Sequence, residues 1–527
     1  MKKIGIFLGF EYKAKIKAEG IGRLLGFMLK AQQQEIVVAM PEWLKKEFWE
    51  LLDDQDIDRD KIELVTTQKV PYSLKAYEFL KKIREKKNRK RVSGIQKISE
   101  WVKKVLRDRI NTLISSKSLL RIIATGLIFL IVGIILVPIA LVLEICLLLR
   151  KYIKKVVKFL SKQGVRGVKK GIRTIYQVEI FEEIMQDLYA RLHSVELTQL
   201  VDKINKRVDI PVWYIPTLFW PEVAEIKVKK VIAAPDIVYY DFPVQFATLS
   251  DEKVHDKLIK TINCADQIIC YSDYVKYNHI VERFGLSEDK VTVIPHGCIE
   301  MNKLLKVKKS IVESITQRQL AIEEIEKYIW ESGQTREIVK NIKWGQMRYV
   351  IYSSQLRPHK NMLTLIKAIE ILNRRYYKNI KLIVTGNIAQ NEDICKFVDE
   401  HNMHNEIIQF YNIPSKVLAA LNKLAICAVN PTMFEGGFPF TFTEAYSMGT
   451  PSIMSNIEVV KEKIQDDQLA EKMLFNPYDV EELVSKLDWA IDNRDTLFSI
   501  ESNLYQKFEA RNWETVINEY MQLFDAM

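Results

Sequence analysis

The stretch FEGGFPFTFTEAYSMGTPSIMSN occupies residues 434–456 and joins a short apolar run to a helical pattern. A glycine-rich turn between a buried strand and a helix brings backbone N–H groups close to an anion, and the positive end of the helix points at the same place. One carboxylate, Glu435, lies in the turn, and a second, Glu444, lies in the helical pattern. The stretch therefore predicts a strand–turn–helix unit of an α/β domain that binds an anionic ligand.

Short apolar runs alternate with helical patterns along most of the chain, which is typical of buried parallel strands. The first set lies at residues 4–10, 36–40, 212–216, 231–236, 267–272 and 291–297. The second set lies at residues 349–354, 381–386, 407–411, 426–431 and 451–455. The two sets predict two Rossmann-like, doubly wound domains that face a cleft, with ligands at the carboxyl ends of the strands.

These patterns also divide the chain. We assign residues 1–298 to an amino-terminal lobe and residues 346–504 to a carboxyl-terminal lobe, joined by a helical linker at residues 299–345. A final helix at residues 505–527 is expected to cross back to the first lobe. The amino-terminal lobe is interrupted at residues 71–209 by a helical insertion that is both basic and apolar.

The insertion contains the whole basic excess of the protein. Residues 81–173 contain 25 Lys and Arg residues against four acidic residues, whereas the whole chain has a net charge of +11, so the remainder is acidic. This basic segment surrounds the most apolar stretch of the chain, which makes anionic lipid a better partner than nucleic acid. The sequence has no zinc-finger spacing and no aromatic signature of an RNA-binding module, so we exclude nucleic acid as a partner.

The apolar stretch at residues 122–149 contains one charged residue, Glu144, and is long enough to span a membrane. However, strands of one sheet precede and follow it, and basic residues flank it on both sides, which places both flanks in the cytoplasm. We therefore predict a re-entrant or in-plane hairpin on the cytoplasmic face of the cell membrane. A single span and a hairpin packed on the protein remain as alternatives. The predicted membrane-contacting residues are Ile122, Phe129, Ile135, Leu143, Leu149, Lys151, Lys154 and Lys155.

The cysteines argue against a disulfide framework and a structural metal. All six are scattered, with no C-x-x-C pair and no histidine at zinc-like spacing, which favours a reducing compartment. Asp54, Asp56 and Asp58 form a D-x-D-x-D pattern, which we interpret as a charged loop and not as a metal site.

The motifs together resemble those of glycosyltransferase family 4. The resemblance rests on the acidic pair and the following GTPSIMS of residues 449–455, on SSQLRPHK at residues 353–360, and on EGIGR at residues 19–23. Further similar stretches, APDIVYYDFP, CADQIICYS, VTVIPHG, VTGN and LFNPYDVEEL, extend it over about 350 residues of both lobes. It implies the GT-B fold and a retaining transferase of the hexosyltransferase type that uses a nucleotide-diphosphate sugar without a metal or other cofactor.

The resemblance assigns roles within the first motif. It implies that Glu435 contacts the donor sugar and that Glu444 accepts bonds from the ribose hydroxyls. The backbone of Gly436, Gly437 and Phe438 is expected to lie close to the diphosphate and the sugar. The two glutamates are nine positions apart, whereas the family spacing is eight, and a one-residue expansion of the glycine loop accounts for this difference.

The other two motifs supply the remaining donor contacts. The resemblance places Lys360 on the donor diphosphate as a point charge. The family has an arginine where Gln355 stands, and Arg357 is either its replacement or a surface arginine. Gly20 and Gly22 are expected to let the main chain approach the donor phosphate.

Glu435, Lys360 and Asp236 are the predicted catalytic residues. Asp236 is the polar residue at a position where many family members have a preceding histidine, and Pro235 replaces that histidine here. His359 is interpreted as a loop residue and His296 as a structural cap of the crossover between the lobes.

The implied reaction retains the configuration of the sugar, because the leaving diphosphate helps to deprotonate the acceptor hydroxyl on the same face. The membrane segment favours a lipid-linked or polysaccharide acceptor. Two alternatives remain: a catalytically inactive scaffold that kept the fold, and another GT-B enzyme such as an epimerase or a phosphorylase.

Overall fold

The computed structural model describes residues 3–16, 20–32, 34–71, 74, 178–235, 237–244, 252–305, 313–333 and 337–527. The chain divides into two compact units. The first is formed by Met1–Gln68 with Glu196–Met527 and contains both lobes, and the second is Lys69–Val195. The predicted membrane-contacting residues and Asp236 lie outside the described residues.

The first lobe contains a seven-stranded parallel sheet with the order β3-β2-β1-β4-β5-β6-β7. Its strands are β1 (Ile4–Phe7), β2 (Ile36–Met40), β3 (Ile62–Thr66), β4 (Val212–Ile215), β5 (Lys229–Ala233), β6 (Gln267–Cys270) and β7 (Val291–Val293). The order reverses between β1 and β4, which pair at Gly5 with Trp213 and at Ile6 with Tyr214. Most of these short runs are buried on both faces, as parallel strands covered by helices require.

The second lobe repeats this plan with a six-stranded parallel sheet of order β10-β9-β8-β11-β12-β13. Its strands are β8 (Tyr349–Tyr352), β9 (Lys381–Val384), β10 (Ile407–Gln409), β11 (Cys427–Asn430), β12 (Ser452–Ser455) and β13 (Leu474–Phe475). Here the order reverses between β8 and β11, which pair at Val350 with Cys427. A doubly wound sheet opens a crevice at the carboxyl ends of the strands at such a point.

The described residues form fourteen α-helices of seven or more residues. Those described before residue 350 are α1 (Gly20–Ala31), α2 (Lys45–Gln55), α3 (Val178–Ile204), α4 (Glu252–Cys264) and α5 (Glu313–Ser332). The later ones are α6 (Met362–Arg374), α7 (Glu392–Glu400), α8 (Ser415–Leu424), α9 (Phe440–Ser447), α10 (Asp467–Met473), α11 (Val480–Asp492), α12 (Arg494–Ile500), α13 (Ser502–Glu509) and α14 (Trp513–Ala526). No helix within these described ranges is long and apolar enough to cross a membrane.

The final helix, α14, packs on the first lobe. The Tyr520 ring meets the Tyr214 ring of β4 edge to face, with centroids 5.5 Å apart, and Phe524 lies beside the same tyrosine. The chain therefore ends against the lobe in which it begins.

The prediction of two doubly wound, parallel-sheet domains is confirmed, and the local differences have simple causes. Most strands end two or three residues before the predicted runs do, because the last residues of those runs belong to the loops at the carboxyl edge of the sheet. The helical linker predicted at residues 299–345 contains a 3-10 turn, Met301–Leu305, and the separate helix α5.

Candidate active site

The sheet order of the second lobe brings two of the sequence motifs together. The motif at residues 353–360 follows β8, and the glycine-rich turn follows β11. These two strands are neighbours at the point where the strand order reverses. Both loops therefore border the same crevice, although they are far apart in the chain.

The two loops are joined by an ion pair and by backbone bonds. The ammonium nitrogen of Lys360 lies 2.5 Å from Oε1 of Glu435, and both side chains are mostly buried. The Tyr352 hydroxyl donates to the Lys360 carbonyl oxygen at 3.0 Å, and the Met433 N–H donates to the His359 carbonyl oxygen at 2.8 Å. The predicted diphosphate residue and the predicted sugar-contact residue are thus direct partners.

His359 is held beside this pair in a neutral form. It lies in the 3-10 turn Pro358–Lys360 and is 5% exposed. Burial, together with the nearby charges of Lys360 and Arg357, lowers its pKa to about 3. An imidazole with this pKa is uncharged near neutral pH, so His359 adds no positive charge to the site.

Arg357 lies in the same loop as Lys360. Its side chain is exposed, and its Nη2 donates to Oε1 of Gln355 at 3.2 Å. The residue predicted to replace the missing family arginine thus contacts the glutamine that stands in the arginine position.

The helix after the glycine turn carries the second carboxylate. Glu444 lies on α9 and is 1% exposed, so the helix presents it to the interior. Its Oε1 accepts a bond from Nη2 of Arg23, a residue of the first lobe. Its Oε2 is also buried and has no hydrogen-bond partner among the described residues. A buried carboxylate oxygen without a donor is costly, which marks this atom as ready to accept a ligand hydroxyl.

Arg23 was not among the residues predicted for the site, although it lies within the EGIGR motif. It occupies the first turn of α1, and its side chain is 31% exposed. The available signal was a cation next to the glycines of a motif already interpreted as ligand-binding. Its partner Glu444 is 421 positions away, and nothing in local sequence connects the two.

The two glycines of the same motif have different surroundings. A Cβ added at Gly22 would lie 1.8 Å from the carbonyl oxygen of Ile16, so any side chain there would displace the segment before α1. A Cβ at Gly20 would meet no atom within 4 Å. Gly22 therefore fixes the close approach of α1 to the preceding loop, whereas Gly20 leaves open space at the start of the helix.

The glycine-rich turn also contacts the first lobe. A Cβ added at Gly437 would lie 2.9 Å from Cβ of Tyr271, and the Ser272 hydroxyl donates to the Gly436 carbonyl oxygen at 2.9 Å. Phe438 packs instead within the second lobe, where its ring lies 4.5 Å from that of Phe508. Glycine at position 437 is thus required by the close approach of the lobes.

His296 lies behind this turn in an aromatic stack between the lobes. Its ring centroid is 4.1 Å from that of Tyr271 and 4.6 Å from that of Phe440, the first residue of α9. Burial lowers the His296 pKa to about 3, with a further contribution from Arg511. The neutral ring packs between the two lobes.

The described residues contain no group of three or more His, Cys, Asp or Glu side chains arranged to hold a metal ion. In the D-x-D-x-D pattern, Asp56 ends α2 in a left-handed conformation, and the Asp58 carboxylate accepts a bond from the Asp60 N–H at 3.0 Å. Asp56 therefore caps α2 through its backbone N–H, and Asp58 caps the following 3-10 turn through its carboxylate.

Known proteins with similar structures share this two-lobed plan. The Anabaena protein HepE, crystallised with UDP and glucose, matches over 100% of both chains with a TM-score of 0.56 and 12% identity. The N-terminal domain of Candida albicans trehalose-6-phosphate phosphatase matches over 98% of this chain and 95% of its own, with a TM-score of 0.55 and 13% identity. The fold is GT-B. A Rickettsia africae glycosyltransferase matches the same GT-B fold over 100% of this chain and 98% of its own, with a TM-score of 0.52 and 10% identity.

Sequence comparison adds a match to the second GT-B lobe. Residues 334–510 match the family model described as "Glycosyl transferases group 1". O-antigen chain mannosyltransferase B of Escherichia coli is 27% identical over 119 residues, which is 22% of this chain and 31% of that relative. The match therefore spans less than a third of the relative's length, and the family model covers the motifs of Lys360, Glu435 and Glu444.

Proposed function

We propose that the protein is a retaining glycosyltransferase that transfers a sugar from a nucleotide-diphosphate sugar to a membrane-associated acceptor. The observation that supports this most strongly is the pairing of Lys360 with Glu435 at the strand-order reversal of the second lobe. Next to that pair, the turn and α9 offer Glu444, whose buried Oε2 has no partner within the described part of the chain. The match of residues 334–510 to a glycosyltransferase family agrees with this proposal.

The donor is proposed to bind with its diphosphate at Lys360 and its ribose at Glu444. A lysine ammonium is a compact charge suited to a phosphate oxygen. Helix α9 follows the glycine turn, so its positive end adds to the attraction of an anion. Glu435 bonds to Lys360 in the structure. On donor binding, the diphosphate is proposed to bind Lys360 and the sugar is proposed to bind Glu435.

The proposed reaction breaks the bond between the sugar C1 and the diphosphate oxygen. The acceptor hydroxyl oxygen bonds to C1 on the same face, and its proton passes to the departing diphosphate. Lys360 stabilises the charge that develops on the leaving group, and such stabilisation is usually the largest single catalytic contribution. Glu435 holds the sugar and is not proposed as a nucleophile, in contrast to the carboxylates of glycosidases. No metal or other cofactor is part of the proposal.

The acceptor is proposed to be lipid-linked or polysaccharide, at the cytoplasmic face of the cell membrane. The support is the basic and apolar composition of residues 81–173 and the similarity of part of the chain to an O-antigen mannosyltransferase. A hexose donor is proposed because that relative is a mannosyltransferase and another crystal structure of HepE contains UDP-glucose. The proposed product belongs to surface polysaccharide or glycolipid assembly.

A panel of nucleotide sugars, incubated with purified protein and a membrane lipid extract, tests the proposal. The readouts are the released nucleoside diphosphate and the labelled lipid product. Release with one donor in the wild type, and its loss in Lys360→Ala, is the expected result. Free isomerised sugar or sugar phosphate as the product would contradict it in favour of an epimerase or a phosphorylase.

A scaffold that binds nucleotide sugars without turnover is the second candidate. It is favoured by Gln355, which stands where the resembling family has an arginine, and by the exposed position of Arg357. Nucleotide binding by a folded protein, without product for any donor in the panel, is the outcome that supports it.

A further inference from the structure

Arg23 and Glu444 form an ion pair between the lobes, and the two partners differ in exposure. The Glu444 side chain is 1% exposed, whereas that of Arg23 is 31% exposed. A carboxylate buried to this degree needs a compensating cation, since the loss of hydration is not recovered otherwise. Arg23 supplies that cation from the first turn of α1, across the crevice in which the donor is proposed to bind.

The charges in the crevice indicate a second role for Arg23, as a phosphate-binding residue. Within the second lobe, Lys360 is set against two carboxylates, Glu435 and Glu444, so this set alone has a net negative charge. A net negative site disfavours a diphosphate. Arg23 makes the set of four neutral, and its planar guanidinium offers the bidentate hydrogen bonds that suit phosphate oxygens.

To bind the diphosphate, Arg23 must leave Glu444, and other donors must then bond to that carboxylate. Arg23 occupies Oε1, while the buried Oε2 has no partner among the described residues. Two ribose hydroxyls can donate to one carboxylate, which would satisfy Oε2 and replace the Arg23 bond at Oε1. The guanidinium is then released close to where the diphosphate is proposed to lie.

The packing of α1 keeps Arg23 near the crevice after such a release. Phe27 lies four residues after Arg23, hence on the same face of the helix. Its ring stacks on Trp513, with centroids 5.2 Å apart and planes inclined by 21°. Trp513 in turn lies 6.3 Å from Phe440, the first residue of the helix that carries Glu444. The aromatic contacts therefore tie α1 to α9 independently of the ion pair.

We propose that Arg23 is a donor-binding residue that exchanges Glu444 for the donor diphosphate when a nucleotide binds. This inference rests on the proposed function and adds a phosphate contact from the first lobe. Arg23 thus balances the charge of the buried Glu444 before a nucleotide binds and stabilises the charge of the diphosphate afterwards.

Calorimetric titration with uridine, UMP and UDP, and with the matching adenosine and guanosine series, tests this exchange. The variants are Arg23→Ala, Arg23→Lys, Glu444→Gln, Lys360→Ala and the double variant Arg23→Ala with Glu444→Gln. Lys30→Ala is the control, because Lys30 lies at the far end of α1 and donates to the Gln55 carbonyl oxygen. We expect Arg23→Ala to weaken diphosphate binding about ten- to a hundredfold, with nucleoside binding unchanged or tighter. Arg23→Lys should recover part of the loss.

The double variant guards against a loss of folding, since it removes the unpaired buried carboxylate together with its cation. If Arg23 binds the diphosphate, the double variant binds the diphosphate more weakly than Glu444→Gln alone. Equal binding by those two variants, or an equal loss for nucleoside and diphosphate in Arg23→Ala, would overturn the inference and leave Arg23 as a support for Glu444. If Lys360→Ala weakens diphosphate binding and Arg23→Ala does not, only this inference fails. If the wild type binds no nucleotide at all, the proposed function fails.

Discussion

The ammonium nitrogen of Lys360 lies 2.5 Å from Oε1 of Glu435, a residue 75 positions later in the chain. The contact exists because β8 and β11 are adjacent in the sheet and each is followed by one of the two loops. Both side chains retain some exposure, 16% and 20%, so a ligand can reach them from the crevice.

Replacement of Lys360 by alanine is expected to lower the turnover rate by about 10²- to 10³-fold, because the departing diphosphate loses its stabilising charge. The protein should remain folded, since Glu435 is open enough to be hydrated. Steady-state assays with the donor from the panel and a thermal melt measure the two effects. Lys396→Ala, an exposed lysine of the same lobe, is the control. Wild-type turnover in Lys360→Ala would remove Lys360 from the donor site.

Glu444→Ala is expected to abolish transfer and to weaken nucleoside binding by at least about tenfold, because the ribose hydroxyls lose a charged acceptor. Titration with the nucleoside alone separates this effect from contacts to the diphosphate. Glu458→Gln, at an exposed glutamate of the same lobe, should leave nucleoside binding unchanged. Undiminished nucleoside affinity in Glu444→Ala would place the ribose elsewhere.

The free energy of unfolding is expected to decrease as the pH falls from about 6.5 towards 3, in part because of His296. Its pKa is about 3 in the folded protein, so between these values only the unfolded chain takes up the proton. His296→Phe keeps a ring between Tyr271 and Phe440 but removes the titration. In urea unfolding at pH 7 and pH 5, this variant should lose less stability than the wild type, by up to about 1.4 kcal/mol per pH unit. His404→Asn, at an exposed histidine, should match the wild type.

Glu501→Gln is expected to stabilise the protein at neutral and alkaline pH. The Glu501 side chain is fully buried, and burial raises its pKa well above the ordinary value of 4.5. The unfolded chain therefore loses this proton at a lower pH than the folded one, and the free energy of unfolding decreases as the pH rises above 4.5. The amide oxygen can still accept the bond from the Ser452 N–H. The increase in the free energy of unfolding should be present at pH 8 and absent at pH 4. An increase of equal size at both pH values would contradict a role for the Glu501 titration. The exposed Glu481→Gln is the control.

Deletion of residues 122–149 is expected to move the protein from the membrane fraction to the soluble fraction, because the apolar hairpin is the proposed membrane contact. Nucleotide titration of the deleted protein checks that both lobes still bind the donor. Continued membrane retention would assign the contact to the basic helices, and charge-reversed variants of Lys151, Lys154 and Lys155 would then test the interfacial attraction.

Much of the fold was predictable because the local sequence reflects which segments are buried. A parallel strand covered on both faces must be apolar along its whole length, so the run at residues 36–40 predicts β2 to the residue. The run at residues 4–10 overshoots β1, which ends at Phe7. Phe10 is apolar for another reason: its ring packs on Trp220 in the loop region, with centroids 5.1 Å apart. Apolar content reports burial and does not distinguish a paired strand from a packed loop.

The sequence by itself determined the two doubly wound lobes and the chemical character of each motif: a lysine after β8, a glutamate in the glycine turn and another on the next helix. These are local properties, set by strand burial, turn glycines and helix periodicity over 20 or so residues. Which of these side chains contact one another was decided only by the tertiary structure. Strand order joined Lys360 to Glu435, and the packing of α1 against the second lobe brought Arg23 to Glu444 across 421 positions. Pair contacts of this kind depend on which strands and helices become neighbours, and that choice is made by the summed packing of whole lobes and not by any single stretch of sequence.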